Sequence, residues 1–379
     1  MSSGVSPSIP RVPHVLQVVL SLNPGGTERL VVEIIKRLRS ELPMTVCCLE
    51  DEGSWGEELR REGIDVRALH RGSGFRPLLG RDIAQLAAAN DIDVAHCHHY
   101  SPFVYSSIAR VWRPRMQVIF TEHGRLSDAP PSTKRRLANR ILSRAPYQVV
   151  TVSADLRRHL IAEGFPEGHV GVVYNGIQVR STDDGCGRAC ARRLLSIGDD
   201  ALVIGTIARL HPVKDLDSLV HACARLRDRL RTTLVVIGDG GERGRLERLA
   251  AQLGVDARFL GHRDDARRLL AGCDVYANSS IHEGISLTIL EAMAAKLPVV
   301  ATSVGGTPEI LDQACGRLVP PRDPDRMADA LDELASDRML REELGRVAHE
   351  RVNARFTIER MVAEYRTAYY GAVSARGTA

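Results

Sequence analysis

The sequence predicts an α/β protein built from two doubly wound, parallel-sheet domains. Three observations carry that expectation. Short β-branched runs alternate with helical patterns along most of the chain, and strands separated by helices pair in parallel because each return needs a crossover. The alternation lapses once, over the turn-rich "VRSTDDGCGRACARR" (179–193), and then restarts. The 379 residues suit about two domains of ordinary size.

The elements follow in order. "VLQVVLSL" (15–22) reads as a strand, and "TERLVVEIIKRLR" after it places Leu30, Val31, Ile34, Ile35 and Leu38 on one apolar helical face. Further strands are expected at "MTVCCLE", "IDVRAL", "DVAHCH", "QVIFTEH", "QVVTVS" and "VGVVYN". Beyond the break they recur at "ALVIGTIARL" (201–210), "TTLVVIGDG" (232–240), "ARFLGH" (257–262), "DVYANSS" (274–280), "LPVVATSV" (297–304) and "GRLVP" (316–320). From "DPDRMADALDELASD" onward the chain reads as helices. Domains are expected over 1–177 and 178–355, with a C-terminal helix over 356–379.

Composition narrows the class. Hydrophobic content of 44% and charged content of 26% are ordinary for a soluble globular chain. A net charge of +4 does not by itself imply nucleic acid. "MSSGVSPSIPRVPHV" lacks the basic start and apolar core of a signal peptide, and the apolar runs are too short to span a bilayer. A cytoplasmic protein is expected, with any membrane contact peripheral, at the inner face. The eight cysteines form no disulfide framework; Cys47, Cys48, Cys97 and Cys273 lie in strand-like runs, where Cys packs as a small hydrophobe. "CGRAC" (Cys186, Cys190) has a ligand spacing but no partner pair, so no metal is expected there.

In open α/β sheets, ligands bind beyond the carboxyl ends of the strands. Four groups in the second half stand there. In "ARLHPVKD", Arg209 and Lys214 follow a strand; Arg grips phosphate oxygens as a fork and Lys adds a compact charge. "GDGGERG" (238–244) has Arg243 where a dinucleotide fingerprint needs glycine, and reads as a tight turn into a helix. "LGHRDD" (260–265) is a strand-end turn able to show backbone groups to a flat ligand. "HEGISLTILEA" (282–292) leaves a strand, turns at Gly284 and starts a helix near Ser286, whose amides and dipole suit a phosphate. Glu283 falls beside that helix start and Glu291 about one and a half turns in. About 80° separates them on an ideal helix, too far round for a close dyad but suited to two hydroxyl-bearing parts of one long ligand. Two cations, a helix dipole and two separated carboxylates describe a site for a sugar–nucleoside diphosphate.

With these motifs in this order, the sequence resembles the retaining glycosyltransferases of the GT-B fold, glycosyltransferase family four (glycosyl transferases group 1). The likeness rests on E-x7-E (Glu283, Glu291), R-x4-K (Arg209, Lys214), "PGG" after the first strand, "TEHG", "VSADLRRHL", "VYNGI" and "GGTPEIL", and covers nearly the whole chain. It implies two facing Rossmann-like domains with parallel sheets and an interdomain cleft, the C-terminal helix returning to the N-terminal, acceptor-side domain. It implies that Arg209 and Lys214 neutralise the donor diphosphate and that Glu291 binds the ribose. Glu283 would position the donor sugar, and His123, in "TEHG", would face that sugar from the other domain. Gly25 and Gly26 would let the first loop approach closely, and the base would rest near Gly261, His262 and Arg263. Gly284, Ile285, Ser286 and Leu287 would line the donor phosphate. Asn175 and Gly176 would mark the crossing between domains. Tyr174 stands where the family often has proline, which touches local loop geometry only. The family needs no metal or other cofactor; "DID" (91–93) sits before a strand, and Asp91 reads as a turn residue.

"AHCHH" (95–99) invites a zinc reading, but neighbours on a strand point to opposite faces. A strand-end histidine, His98 or His99, shaping an acceptor pocket is the expectation. Residues 105–160 hold eleven Arg or Lys against Glu122, Asp128 and Asp155, an excess of eight in a chain of net +4. The function expected is transfer of a hexose from a nucleotide sugar to a glycan or lipid-linked glycan in cell-surface polysaccharide biosynthesis, with an anionic membrane surface as further partner and no nucleic acid. A GT-B nucleotide-sugar epimerase, a non-catalytic nucleotide-sugar binder and a nicotinamide dehydrogenase are the alternatives, and a nucleophilic Glu283 is the alternative route within the first.

Overall fold

The computed structural model describes residues 11–125, 133–144, 148–179, 187–227 and 229–375. Cys186 of "CGRAC", Asp128 and the opening ten residues lie outside them. The chain divides into two compact units, Met1–Tyr174 with Glu359–Ala379, and Asn175–Ile358.

The first unit holds a sheet of β1 (Val15–Val19), β2 (Met44–Cys48), β3 (Asp65–Ala68), β4 (Val94–His98), β5 (Gln117–Glu122), β6 (Gln148–Thr151) and β7 (Val170–Val172). The second holds β8 (Leu202–Ile207), β9 (Thr232–Ile237), β10 (Ala257–Phe259), β11 (Val275–Asn278), β12 (Val299–Thr302) and β13 (Gly316–Val319). Each strand lies inside a stretch read as one from the sequence. Cys273 does not: it is buried in the turn before β11, where its sulfur packs under Gly205 of β8.

Every pairing within the sheets is parallel, in the orders β3-β2-β1-β4-β5-β6-β7 and β10-β9-β8-β11-β12-β13. Helices cover both faces of such a sheet, so its central strands are buried throughout, as β1, β2 and β4 are. The expected face of the helix Gly26–Leu38 is the buried one: Leu30, Val31, Ile34, Ile35 and Leu38. In each unit the chain starts at a central strand, winds one way, and then crosses back to the other side. The strand order therefore reverses between β1 and β4 and between β8 and β11. Crossovers leave in opposite directions at those points, which opens a crevice at the strands' carboxyl ends. The switch points, not the hydrophobic core, decide where chemistry can sit.

The units meet the chain at 174/175 and 358/359, against 177/178 and 355/356 expected. Local pairing explains the difference. Ile177 donates to the carbonyl of Phe356 at 3.0 Å and accepts from the amide of Ile358 at 2.9 Å, so the "NGI" of "VYNGI" belongs to the second unit. Gly176 permits the approach, since a side chain there would collide with the Thr357 carbonyl. The final helix, Ile358–Ser374, then sends Tyr365 and Tyr369 into the first unit, where both are buried.

That helix meets an unusual strip of polar residues. β1 and β4 carry Gln17, His96 and His98 in the middle of the sheet, all of them buried. Buried polar groups need partners, and these have them. His96 lies between Tyr369 Oη (2.7 Å from Nδ1) and Thr121 Oγ1 (2.8 Å from Nε2). Gln17 Nε2 donates to Tyr369 Oη at 3.0 Å.

Candidate active site

The residues expected around a donor phosphate come together at the β8/β11 switch point. After β8 the loop carries exposed Arg209 and a short 3-10 turn, Pro212–Lys214. After β11 a second loop carries Ser279, Ser280 and Glu283. The two are stitched by backbone: Ile281 donates to the Val213 carbonyl at 2.9 Å, and Ser279 Oγ donates to the Lys214 carbonyl at 2.8 Å. Lys214 Nζ then reaches Glu283 Oε1 at 2.6 Å. Ser280 Oγ donates to the same oxygen at 2.7 Å and Asn278 Nδ2 stands 3.5 Å from it. Glu283 is thus a fixed carboxylate. Arg209 has no side-chain partner among the described residues.

Glu283 is held from behind by the "GGTPEIL" loop. Gly306 N–H donates to the Gly284 carbonyl at 3.0 Å, and Gly305, at φ +52°, comes so close that a Cβ would collide with the Glu283 carbonyl. A left-handed residue with no room for a side chain can only be glycine. On the other side, buried Asn175 donates to the Ile285 carbonyl at 3.2 Å. Sequence reasoning gave Asn175 to a domain crossing and missed this support; nothing in spacing links residues 110 apart.

Ser286 precedes the helix Leu287–Ala294, so Gly284–Leu287 forms its entry as expected. The Ser286 side chain does not cap that helix; it meets Thr288 Oγ1 at 3.2 Å instead. First-turn amides have no intrahelical acceptor, and here no side chain of Ser286 takes them. Glu291 is buried inside the helix and gripped by Arg267, with Nε at 2.9 Å and Nη2 at 2.8 Å from the same oxygen. The two glutamates therefore have separate cations, Lys214 and Arg267. Arg267 was not foreseen, because the pairing spans 24 residues. Gly261 has φ +71° and its carbonyl accepts from Gly238 N–H at 2.8 Å. His262 is exposed, and Arg263 is turned onto Asp265 by two bonds of 2.7 Å, so its guanidinium is already engaged. A cavity of about 550 Å³ in the same unit lies at the opposite strand ends, between Ala201, Asp274 and Pro298, away from all of these residues.

A second cluster stands at the β1/β4 switch point. Gly25 precedes the helix Gly26–Leu38 with extended backbone (φ −164°), so its smallness serves space rather than an unusual dihedral: a Cβ would meet the Glu28 carboxylate. The histidines of "AHCHH" keep the alternation of the strand. His96 and His98, two apart on β4, face the same way with ring centres 4.1 Å apart. His98 stacks on His123 at 5.2 Å, and its Nδ1 is 3.0 Å from His123 Nε2. His98 is sealed from solvent, so it lines no acceptor pocket directly. His99, at φ +74° and partly exposed, is 3.2 Å from Glu122 Oε1. That oxygen also accepts the His123 backbone N–H at 3.0 Å. Among the described residues no group of three or more His, Cys, Asp or Glu is placed to hold a metal ion.

Burial divides these imidazoles electrically. It pushes His96 down to about 3, with His123 adding to the effect. It also holds His98 and His123 well below the usual value, helped in each case by neighbouring histidines. Burial opposes charge on His99 too, but the hydrogen bond and charge of Glu122 outweigh it and raise that pKa. The cluster is one cation-favouring histidine beside three neutral ones.

A family described as Glycosyl transferases group 1 matches residues 201–337, and one described as Glycosyltransferase Family 4 matches residues 24–180. Among similar proteins is an uncharacterized glycosyltransferase of Methanocaldococcus jannaschii, 32% identical over 75% of this chain and 77% of that one. A D-inositol 3-phosphate glycosyltransferase of Kribbella flavida is 31% identical over 73% and 71%. N-acetyl-alpha-D-glucosaminyl L-malate synthase of Bacillus anthracis is 27% identical over 77% and 78%. The fold matches that of HepE from Anabaena, solved with UDP (TM-score 0.83, 24% identity, 94% of this chain and 99% of that one). It also matches a glycosyltransferase of Rickettsia africae (TM-score 0.85, 21% identity, 95% and 99%). The chain belongs to glycosyltransferase family 4, the glycosyl transferases group 1. It is a glycosyltransferase with the two Rossmann-like sheets of the GT-B fold.

The histidine cluster makes stability depend on pH. A histidine neutral in the fold and protonated in the unfolded chain makes unfolding take up a proton, so stability falls as pH drops below the unfolded value of about 6.5. His96, His98 and His123 act in that sense. His99 acts in the other: its contribution is present below about pH 6.5 and is lost as pH rises through its raised folded value. Three outweigh one. Denaturant unfolding followed from about pH 7 to about pH 5 should show falling stability of the first unit. His96→Leu should flatten that slope by about 1.4 kcal/mol per pH unit. A slope unchanged by His96→Leu would show that the buried ring is not the titrating group.

Proposed function

We propose that this glycosyltransferase moves a hexose from a nucleotide-diphosphate sugar to a glycan or lipid-linked glycan, with retention at the anomeric carbon, in the assembly of a cell-surface polysaccharide. The observation that carries the donor reading is the pairing of Lys214 with Glu283 from two loops at one switch point. A carboxylate with a lysine and a serine on one oxygen suits the boundary between phosphate and sugar. When a diphosphate arrives, Lys214 exchanges the carboxylate for phosphate oxygens, and Glu283 is released toward sugar hydroxyls. Arg209 and the first-turn amides after Ser286 add to the charge facing the leaving group. The solved HepE structures with UDP and with UDP-glucose, and a lipopolysaccharide core glycosyltransferase of Rhizobium meliloti 36% identical over half of this chain, support the substrate class.

In the proposed reaction the bond from the anomeric carbon to the diphosphate oxygen lengthens first. Negative charge builds on the phosphate, where Arg209, Lys214 and the helix start stabilise it. The acceptor oxygen enters on the same face, and its proton passes to the departing phosphate oxygen. Glu283 positions the sugar and is not a nucleophile. Glu291, oriented by Arg267, receives the ribose hydroxyls. No metal or other cofactor takes part in the reaction we propose.

On the acceptor side we place an anionic membrane surface. The helix Thr133–Leu142 exposes Lys134, Arg136 and Arg140 together with Leu137 (63%) and Ile141 (56%). Basic heads beside exposed apolar side chains suit an interface with anionic lipid. The local charge excess is smaller than the window 105–160 suggests: Arg135 pairs with Glu163 at 3.0 Å and Arg157 with Glu167 at 3.3 Å, both just beyond its edge. No helix among the described residues is long and apolar enough to cross a membrane.

Incubation with a panel of nucleotide sugars and oligosaccharide acceptors should release nucleoside diphosphate; release of an epimer, or none with any donor, would sink the transferase mechanism proposed. Arg209→Ala and Lys214→Ala should each slow turnover roughly ten- to hundredfold, the loss of one charge-assisted contact of about 1.5–3 kcal/mol. Normal turnover in both would remove the phosphate assignment.

Glu283→Ala should lower kcat, while Glu291→Ala should mainly raise the donor KM, because ribose is held alike in ground and transition states. Equal effects confined to KM would merge the two roles.

Binding to anionic vesicles should occur at low salt, weaken as salt is added, and drop when Lys134, Arg136 and Arg140 become Ser. Each basic residue near such a surface adds about 1 kcal/mol within a Debye length. Indifference to anionic vesicles at low salt would point to a soluble acceptor.

A further inference from the structure

The bonds that hold the Glu283 carboxylate differ in reach. Lys214 Nζ, 2.6 Å from Oε1, comes from the other loop, 69 residues away in the chain. Ser280 Oγ meets the same oxygen at 2.7 Å from three residues away, within one loop. Asn278 Nδ2 stands at 3.5 Å. All three donors converge on Oε1. Oε2 takes no hydrogen bond from any described residue, and the side chain keeps 10% of its surface exposed. Ser280 is itself fixed on both sides. It is buried; its backbone N–H donates to Asn278 Oδ1 at 3.2 Å, and its carbonyl accepts from buried Thr302 Oγ1 at 2.5 Å, at the end of the neighbouring strand β12. A hydroxyl has one proton and an ionised carboxylate only accepts, so the proton of Ser280 Oγ lies on the side of Glu283.

We propose that Ser280 is a positioning residue: it keeps Oε1 of Glu283 in place when Lys214 turns to the donor phosphate, so that Oε2 stays presented to a hydroxyl of the bound sugar. The duty of Glu283 toward the sugar rests on the transferase reading above; the division of labour between its two oxygens rests on the geometry of this unit alone. The physical reason is the difference between a bond within one loop and a bond between two. When Lys214 moves to a diphosphate, Glu283 loses its only charged partner among the described residues. A carboxylate freed of every partner samples several rotamers, and ordering it again on a sugar costs side-chain entropy. Ser280 donates from within the same turn, so the departure of a residue on the other loop leaves its bond intact. A neutral donor also leaves the carboxylate's charge uncancelled, and bonds to a charged acceptor are the stronger kind. Asn278 cannot take over this role. Its amide stands at the limit of bonding distance from Oε1, and its carbonyl oxygen already accepts the Ser280 N–H. Gly305 and Gly306 hold the backbone of Glu283 and Gly284. What remains free is the side chain's torsions, and those are what the serine fixes.

The test separates positioning from binding in the full chain. With a nucleotide sugar that the wild type turns over, Ser280→Ala should lower kcat about tenfold or more, the effect of losing one hydrogen bond to a charged group. Its affinity for UDP, GDP or ADP alone, titrated by calorimetry, should match the wild type's, because Arg209 and Lys214 still meet the phosphates. An unchanged kcat overturns the proposal. So does a loss of nucleotide affinity equal to the loss in kcat, which would make the serine a general support of the loops. A second measurement leaves the residue in place. In crystals of the wild-type protein soaked with the nucleoside diphosphate that binds, Lys214 should lie on phosphate while Oε1 of Glu283 stays on Ser280 Oγ. A carboxylate that has left Ser280 there overturns the proposal whether or not the variant folds. A wild type that turns over no donor takes down the transferase reading and this one together, whereas a wild-type kcat in Ser280→Ala removes this one and leaves the transferase reading standing.

Discussion

The short contact between Lys214 and Glu283 is the interaction on which the second unit's site depends. It joins loops from the two strands where the sheet order reverses, and the backbone stitching around it exists to bring those loops into register. A lysine at this place has to do two things. Without ligand, its charge needs a counterion close by, because a lone partly buried ammonium is unfavourable. In the reaction we propose, it also has to let go. Glu283 gives the lysine its resting partner, and in the proposed reaction phosphate takes its place. The rigid surroundings, Gly305 and Gly306 behind and Asn175 alongside, keep the carboxylate where that exchange is short-ranged.

The first unit solves a different problem. Its central strands carry Gln17, His96 and His98 where hydrophobic residues would pack more simply. Burying this many polar atoms is tolerable only when every bond is made in a consistent direction. The C-terminal helix contributes two of the partners, Tyr365 and Tyr369, from a segment far from β1 in the chain. The one atom left over, His123 Nδ1, lies at the carboxyl end of the sheet. Defects in a well-satisfied network are informative because they are rare.

The family relationship and the geometry support each other without overlapping. Similar chains and folds establish the class of enzyme, and they say nothing about which contacts exist before substrate binds. The ion pairs Lys214–Glu283 and Arg267–Glu291 describe a resting arrangement in which each acid of the E-x7-E motif has its own cation. That separation agrees with two different duties for two glutamates on one short segment.

The sequence by itself determined the strand and helix order, since periodicity and turn chemistry are local, and all thirteen strands fall where alternation placed them. It also marked Arg209, Lys214, Glu283 and Glu291, because charged residues directly after strands are visible as text. Only the tertiary structure showed that Arg267 grips Glu291, that Asn175 holds the turn at Ile285, and that His96 meets Tyr369, 273 residues later. The physical reason is range. Propensity and pattern reach a few residues along the chain, whereas a hydrogen bond requires only that folding bring two groups within about 3 Å, and nothing in the spacing of letters records which distant groups those are.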